Sequence, residues 1–149
     1  MSNNLDEIRI LSIDGGGIRG IIPAYFLSKI EEKLEGKKIY EYFDIVAGTS
    51  TGGIIALAVA CGIEIQQVLN LYEDKGKIIF NKNFLLKIKN LIFNKSLYSS
   101  KVLDRELEAL FSDKTMEDLK TKVVIPSSII NDKSTKVFKT PHEVYYPKS

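Results

Sequence analysis

Two glycine-rich segments carry residues whose types and spacing could support acyl chemistry. The segment Gly48-Thr49-Ser50-Thr51-Gly52 has the form G-x-S-x-G. In this form small residues flank the serine, because the turn from strand to helix is too tight for larger side chains. Such a turn exposes the hydroxyl, and the helix that follows directs N–H groups and its positive dipole end toward it. Ser50 is therefore the predicted nucleophile, with Gly48 and Gly52 permitting the turn.

The second segment, Gly15-Gly16-Gly17-Ile18-Arg19-Gly20, follows a short apolar run and matches G-x-G-x-x-G. One interpretation is a nucleotide-binding module in which this loop holds a pyrophosphate. A dinucleotide site also needs an acidic residue at the tip of the second strand, and Ala47-Gly48-Thr49-Ser50 supplies none. The other interpretation is an oxyanion hole, in which the same backbone donors stabilise a carbonyl oxygen that becomes negative.

Under the oxyanion interpretation, Gly15, Gly16 and Gly17 supply the N–H donors. Asp14 is expected to cap the glycine turn or the helix after it. Arg19 has two open interpretations, since its charge could steady the loop or an anionic head group, or it could be a surface arginine at a helix start.

The elements that position these segments follow from the hydrophobic pattern. Short β-branched runs predict strands, and apolar residues at helical spacing predict helices between them. This alternation predicts an α/β fold with a mostly parallel sheet, whose strands place both glycine segments at neighbouring carboxyl ends. The predicted strands are Ile8–Ile13, Phe43–Ala47, Val123–Ile125, Ser128–Ile130 and Val137–Phe138, and the predicted helices are Ile18–Gly36, Ile54–Cys61, Ile63–Phe80 and Val102–Phe111, followed by a capped turn at Thr115.

The composition and length of the chain argue against several classes of protein and site. The 149 residues suit a single domain, and 21 basic against 19 acidic residues give no general reason to expect nucleic-acid binding. With Cys61 as the single cysteine, neither an internal disulfide nor a cysteine-based metal site can form, and Cys61 is expected to be a core residue. We predict no metal and no cofactor. The polar, acidic N-terminus does not read as a signal peptide, and no apolar run is long enough to cross a bilayer. The expected location is the cytoplasm or a membrane surface.

The stretch 75–101 carries seven lysines and no acid, interleaved with aromatic and aliphatic residues. Basic amphipathic segments of this kind bind the headgroup region of membranes, so peripheral membrane contact is one prediction. The alternative is a set of helices that pack their apolar faces on the core and expose their lysines.

Together, Asp14-Gly15-Gly16-Gly17-Ile18-Arg19-Gly20 and, about thirty residues later, Gly48-Thr49-Ser50-Thr51-Gly52-Gly53 resemble the patatin-like phospholipases. The resemblance implies a three-layer α/β/α fold and a hydrolase of phospholipids or other acyl-lipid esters. It also implies a Ser–Asp dyad without histidine, the glycine loop as oxyanion hole, and an acyl-serine intermediate that water cleaves. A non-catalytic patatin-like domain and the nucleotide-binding module stay as alternatives.

The sequence departs from that family pattern at the second catalytic residue. The family's aspartate stands in an Asp-Gly-Gly or Asp-Gly-Ala motif downstream of the serine, and no Asp-Gly follows Ser50 here. We therefore expect residues 1–149 to be the N-terminal portion of one patatin-like domain, truncated and catalytically incomplete, with the aspartate beyond Ser149. A less favoured alternative is a Ser–Asp–His triad that uses His142, the single histidine, with Asp104, Asp113, Asp118 or Asp132 as the acid.

Overall fold

The computed structural model describes residues 7–79, 101–129 and 132–140. Within them, four strands form one sheet in the order β1-β2-β3-β4, namely β1 (Ile10–Ile13), β2 (Ile45–Gly48), β3 (Lys122–Ile129) and β4 (Ser134–Lys139). The first three strands are parallel, and β4 returns antiparallel to β3. The predicted α/β fold with a mostly parallel sheet is confirmed.

Four α-helices accompany the sheet in the described part of the chain: α1 (Ile21–Lys33), α2 (Thr51–Ala60), α3 (Ile65–Ile79) and α4 (Lys101–Phe111). Three short 3-10 helices connect them, at Gly17–Gly20, Ile39–Glu41 and Met116–Asp118. The last is the capped turn predicted at Thr115, where the Thr115 hydroxyl accepts the Glu117 N–H and the Asp118 carboxylate accepts the Thr115 N–H. The N–H and the hydroxyl of Thr115 both donate to the Asp118 carboxylate, and these two hydrogen bonds hold the pKa of Asp118 below its ordinary value.

The core lies between one face of the sheet and the helices α1, α2 and α3. Ile13, Val46 and Val123 occupy neighbouring strands on this face and are buried, whereas Ile10, on the opposite face of β1, is 58% exposed. Helix α2 is apolar and buried nearly all round, and it packs against the sheet and against α3. Its small residues let both neighbours approach.

The helical connections explain why one face is covered. Both β1-to-β2 and β2-to-β3 are parallel crossovers that advance in the same direction along the sheet. Because such crossovers are right-handed, their helices fall on the same face. The described helices therefore supply one helical layer of the expected three-layer architecture, and the other layer stays a prediction.

Element boundaries differ from the prediction in two informative places. Helix α2 begins at Thr51, three residues before the predicted Ile54, so it starts immediately after Ser50. The two short strands predicted around Pro126 are one continuous strand, β3. Beyond Val124, β3 pairs only with β4 and not with β2. The nitrogen of Pro126, which carries no hydrogen, is therefore tolerated in the strand.

Candidate active site

Ser50 stands where β2 turns directly into α2. It is exposed, and its backbone has φ +53° and ψ −126°, a conformation that a residue with a side chain rarely adopts. Strain of this kind, about 1–3 kcal/mol, persists only where the surroundings impose it. As the N-cap residue of α2, Ser50 also lies at the positive end of that helix dipole.

The two flanking glycines show what imposes this turn. A β-carbon placed on Gly48 would lie 2.5 Å from the carbonyl carbon of Gly52. One placed on Gly52 would lie 2.9 Å from the carbonyl carbon of Ile13 in β1. Both collisions are with backbone, which cannot move aside as a side chain can. The structure therefore requires glycine at both positions, in agreement with the tight strand-to-helix turn that the sequence predicts.

The glycine loop lies against this turn. A β-carbon on Gly15 would be 2.6 Å from the β-carbon of Ser50, so the absence of a side chain lets the loop reach the nucleophile. Gly17 adopts φ +60°, the left-handed region that favours glycine. The sequence thus correctly anticipated that strands β1 and β2 bring the two motifs to one edge of the sheet.

Some backbone N–H groups of the glycine loop donate hydrogen bonds within the protein, and others do not. The Gly15 N–H donates to Thr49 Oγ1 and the Gly16 N–H donates to Thr51 Oγ1, each at 3.2 Å. Among the described residues, the N–H groups of Gly17 and Thr51 have no hydrogen-bond acceptor. The assignment of all three glycines as oxyanion donors stays a prediction, and Gly17 is the one of the three whose N–H has no acceptor in the described part of the chain.

Asp14 does not act as the expected cap. The N-cap residues of the 3-10 helix and of α1 are Gly16 and Gly20, and neither helix start receives a side-chain hydrogen bond. Asp14 is exposed, and the threonine hydroxyls next to Ser50 satisfy the loop donors instead. The capping prediction was wrong because partners came from a second segment 34 to 35 residues away.

Arg19 contacts the loop. Its backbone N–H donates to the Gly16 carbonyl at 3.3 Å, and its Nε would be 3.3 Å from a β-carbon on Gly16. The guanidinium therefore covers Gly16, which agrees with a loop-steadying position. Gly20 is buried, and a β-carbon there would be 2.9 Å from Thr51 Oγ1. This glycine lets the loop pack closely on the start of α2.

Two acids proposed for a histidine-containing triad lie far from Ser50. Asp113 and Asp118 line one cavity with Cys61, the residue that ends α2. Ser50 stands at the other end of this ten-residue helix, about 15 Å away. Asp132 accepts hydrogen bonds from the N–H and hydroxyl of Ser134 in the turn between β3 and β4. His142 lies outside the described residues.

Other sequence predictions have mixed outcomes. Cys61 is buried, as predicted, and burial raises the pKa of its thiol. Of the stretch 75–101, residues 80–100 lie outside the described part of the chain. No helix in the described part is long and apolar enough to cross a membrane, and no group of three metal-ligating side chains occurs there.

Fold and site together define an α/β protein with a strained serine turn beside a glycine-rich loop. A family model described as patatin-like phospholipase matches residues 11–148, so the chain belongs to the patatin-like phospholipase family.

Relatives agree with this placement. The chain is 34% identical over 143 residues to a cGAMP-activated phospholipase of Escherichia coli (strain TW11681), which covers 91% of the chain and 40% of the relative. It is 31% identical to a cGAMP-activated phospholipase of Vibrio cholerae, with 92% and 42% covered. It is also 33% identical to patatin-like protein 2 of Oryza sativa subsp. indica, with 88% and 36% covered. The chain thus spans about two fifths of the length of these relatives.

Proposed function

We propose that the protein is a lipid acyl hydrolase in which the Ser50 hydroxyl attacks the carbonyl carbon of a phospholipid or other acyl-lipid ester. The observation that carries this proposal is the strained, exposed Ser50 held beside the glycine loop at the start of α2. Membership of the patatin-like phospholipase family supports a lipid ester as substrate.

The reaction would proceed through an acyl-serine intermediate. Attack by Ser50 places negative charge on the former carbonyl oxygen, which backbone N–H groups of the loop and of the start of α2 would stabilise. The alcohol leaves with a proton, and water then attacks the acyl-serine to release the fatty acid and restore the hydroxyl. The general base would be an aspartate forming a dyad with Ser50.

We place this aspartate C-terminal to Ser149. In support, no Asp-Gly follows Ser50, and two acids within the chain lie at the far end of α2. The test compares hydrolysis of a nitrophenyl acyl ester by residues 1–149 and by a chain extended along its reading frame. We expect turnover from the extended chain only. Robust turnover by the 149 residues, lost in Ser50→Ala, would show that the base lies within them.

A fluorophosphonate probe tests the nucleophile itself, because it phosphonylates an activated serine and leaves a stable adduct. We expect labelling of the wild-type protein at Ser50 and none of Ser50→Ala. Ser127→Ala, which removes an exposed serine from β3, is the matched control and should label like the wild type. Equal labelling of Ser50→Ala would refute the proposed nucleophile.

The nucleotide-binding alternative receives little support from the loop geometry. Two of the loop N–H groups that would hold a phosphate already donate to threonines, and Arg19 covers Gly16. Saturable nucleotide binding that Ser50→Ala leaves unchanged would revive this alternative.

The names of the relatives also suggest how the activity of this protein is regulated. Because two of them are named cGAMP-activated phospholipases, we propose that a cyclic dinucleotide activates this protein as well. Ester hydrolysis by the full protein with and without cGAMP tests this, and we expect a higher rate with it. An unchanged rate in an enzyme that is otherwise active would refute activation alone.

Membrane contact through the stretch 75–101 is also a proposal, supported by its seven lysines and interleaved apolar residues. Cosedimentation with anionic and zwitterionic vesicles tests it. Preferential pelleting with anionic vesicles is expected. Equal, negligible binding to both kinds of vesicle would refute the proposed membrane contact.

A further inference from the structure

Two hydroxyls flank the nucleophile and contact the glycine loop. Thr49 Oγ1 accepts the Gly15 N–H, and Thr51 Oγ1 accepts the Gly16 N–H. Successive donors of the loop are therefore bound by the residues immediately before and after Ser50. A shift of the loop relative to the nucleophile would break both hydrogen bonds at once.

Thr51 is tied to the protein interior as well. It is 5% exposed and lies near Tyr72 of α3, which is 4% exposed, and the hydroxyl oxygens of both residues lie against Gly20. Thr51 therefore lies between the buried Tyr72 of α3 and the Gly16 N–H, which its hydroxyl accepts.

The packing around this pair leaves the loop little freedom. Gly20, at the end of the loop's 3-10 helix, lies directly against the Tyr72 hydroxyl, with no room for a β-carbon. Farther along α3, a β-carbon on Gly76 would be 2.6 Å from Ile18 Cδ1. Helix α3 therefore contacts the glycine loop and its 3-10 helix at two places, Gly20 and Ile18.

We propose that Thr49 and Thr51 are positioning residues. Their hydroxyls fix the glycine loop beside Ser50 and leave the N–H groups of Gly17 and Thr51 for the oxyanion. This inference rests on the proposed function, because it takes the loop as the oxyanion hole. Valine in place of threonine keeps the shape and removes the hydroxyl, so the loop would lose its register while Ser50 stays in place.

The test follows the rate of fluorophosphonate labelling against probe concentration in Thr51→Val, Thr51→Ser and Thr49→Val, all in the full protein. Removing a direct oxyanion donor typically costs a hundredfold or more, so an indirect effect of roughly tenfold or greater is expected for Thr51→Val. The loss should fall on the limiting labelling rate and not on the half-saturating probe concentration. Thr51→Ser, which keeps the hydroxyl, should stay within about threefold of the wild type.

Thr135→Val, at an exposed threonine of β4, is the matched control and should change nothing. The inference is overturned if folded Thr51→Val labels at the wild-type rate, or if Thr51→Ser is as slow as Thr51→Val. Should Thr51→Val not fold, the test uses Thr49→Val, because Thr49 Oγ1 accepts the Gly15 N–H, and slower labelling than in the wild type is expected. A wild-type labelling rate in folded Thr49→Val would then overturn the inference. Failure of the proposed function is distinguishable, because the wild type itself would then not label at Ser50.

Discussion

The two strand-to-helix connections at the carboxyl edge of the sheet are held in place by different contacts. Between β2 and α2, two residues make the turn, and contacts with adjacent backbone force its shape. Between β1 and the first 3-10 helix, three residues form a looser loop whose N–H groups bind threonines of the other connection. The nucleophile turn is fixed by local sterics, whereas the loop depends on its neighbour.

The largest effect is expected in the tight turn. In Gly52→Ala the new β-carbon would meet the backbone of Ile13, so we expect the free energy of unfolding to fall by about 3 kcal/mol. Gly36→Ala is the matched control, since Gly36 has φ +91° and open space around it. Its cost should be about 1 kcal/mol, from backbone strain alone. Urea unfolding measures both, and equal losses would contradict the steric account of the turn.

A smaller effect is expected where the loop packs on α3. Gly20→Ala would press a β-carbon against the hydroxyls of Tyr72 and Thr51, with a cost of about 1–3 kcal/mol. Because Tyr72→Phe removes one of those hydroxyls, the double variant should lose less than the sum of the single losses. Unfolding of the two single variants and the double variant measures this coupling. Strict additivity would show that Gly20 and Tyr72 do not share the contact.

The smallest effect concerns pH. Burial raises the pKa of Tyr72 above its ordinary value of 10, and the neighbouring Thr51 hydroxyl opposes this only in part. Tyr72 in the unfolded chain therefore ionises first as pH rises, so its contribution to stability is complete below about pH 10 and declines above it.

The check is the pH dependence of urea unfolding between about pH 8.5 and 11. Tyr72→Phe should lose less stability over this range than the wild type. Tyr25→Phe, at a half-exposed tyrosine of α1, serves as the control and should follow the wild type. A steeper decline in Tyr72→Phe would contradict the direction of the shift.

Most of the fold and half of the site could be predicted from the sequence, because they depend on short-range patterns. The turn at Ser50 follows from glycines two residues to either side, and the alternation of strands and helices brings it beside Gly15–Gly17. The early start of α2 escaped prediction because Gly52 and Gly53 are poor helix formers, and burial against the sheet outweighs that preference.

The contacts between the two connections could not be predicted in the same way. Thr49 and Thr51 look like ordinary small residues of a G-x-S-x-G motif, and their partners stand 34 and 35 residues earlier. Tyr72 fits the apolar pattern of α3, so nothing distinguished its hydroxyl from a core side chain. The one available signal was a hydroxyl residue on each side of Ser50.

The positive φ of Ser50 sets stability and reactivity against each other. Glycine would adopt this backbone at no steric cost, so Ser50→Gly should unfold at a higher temperature than the wild type while losing all labelling. Selection for thermal stability alone would therefore remove the serine. Its presence in so unfavourable a conformation is what a chain retains when the hydroxyl itself is under selection.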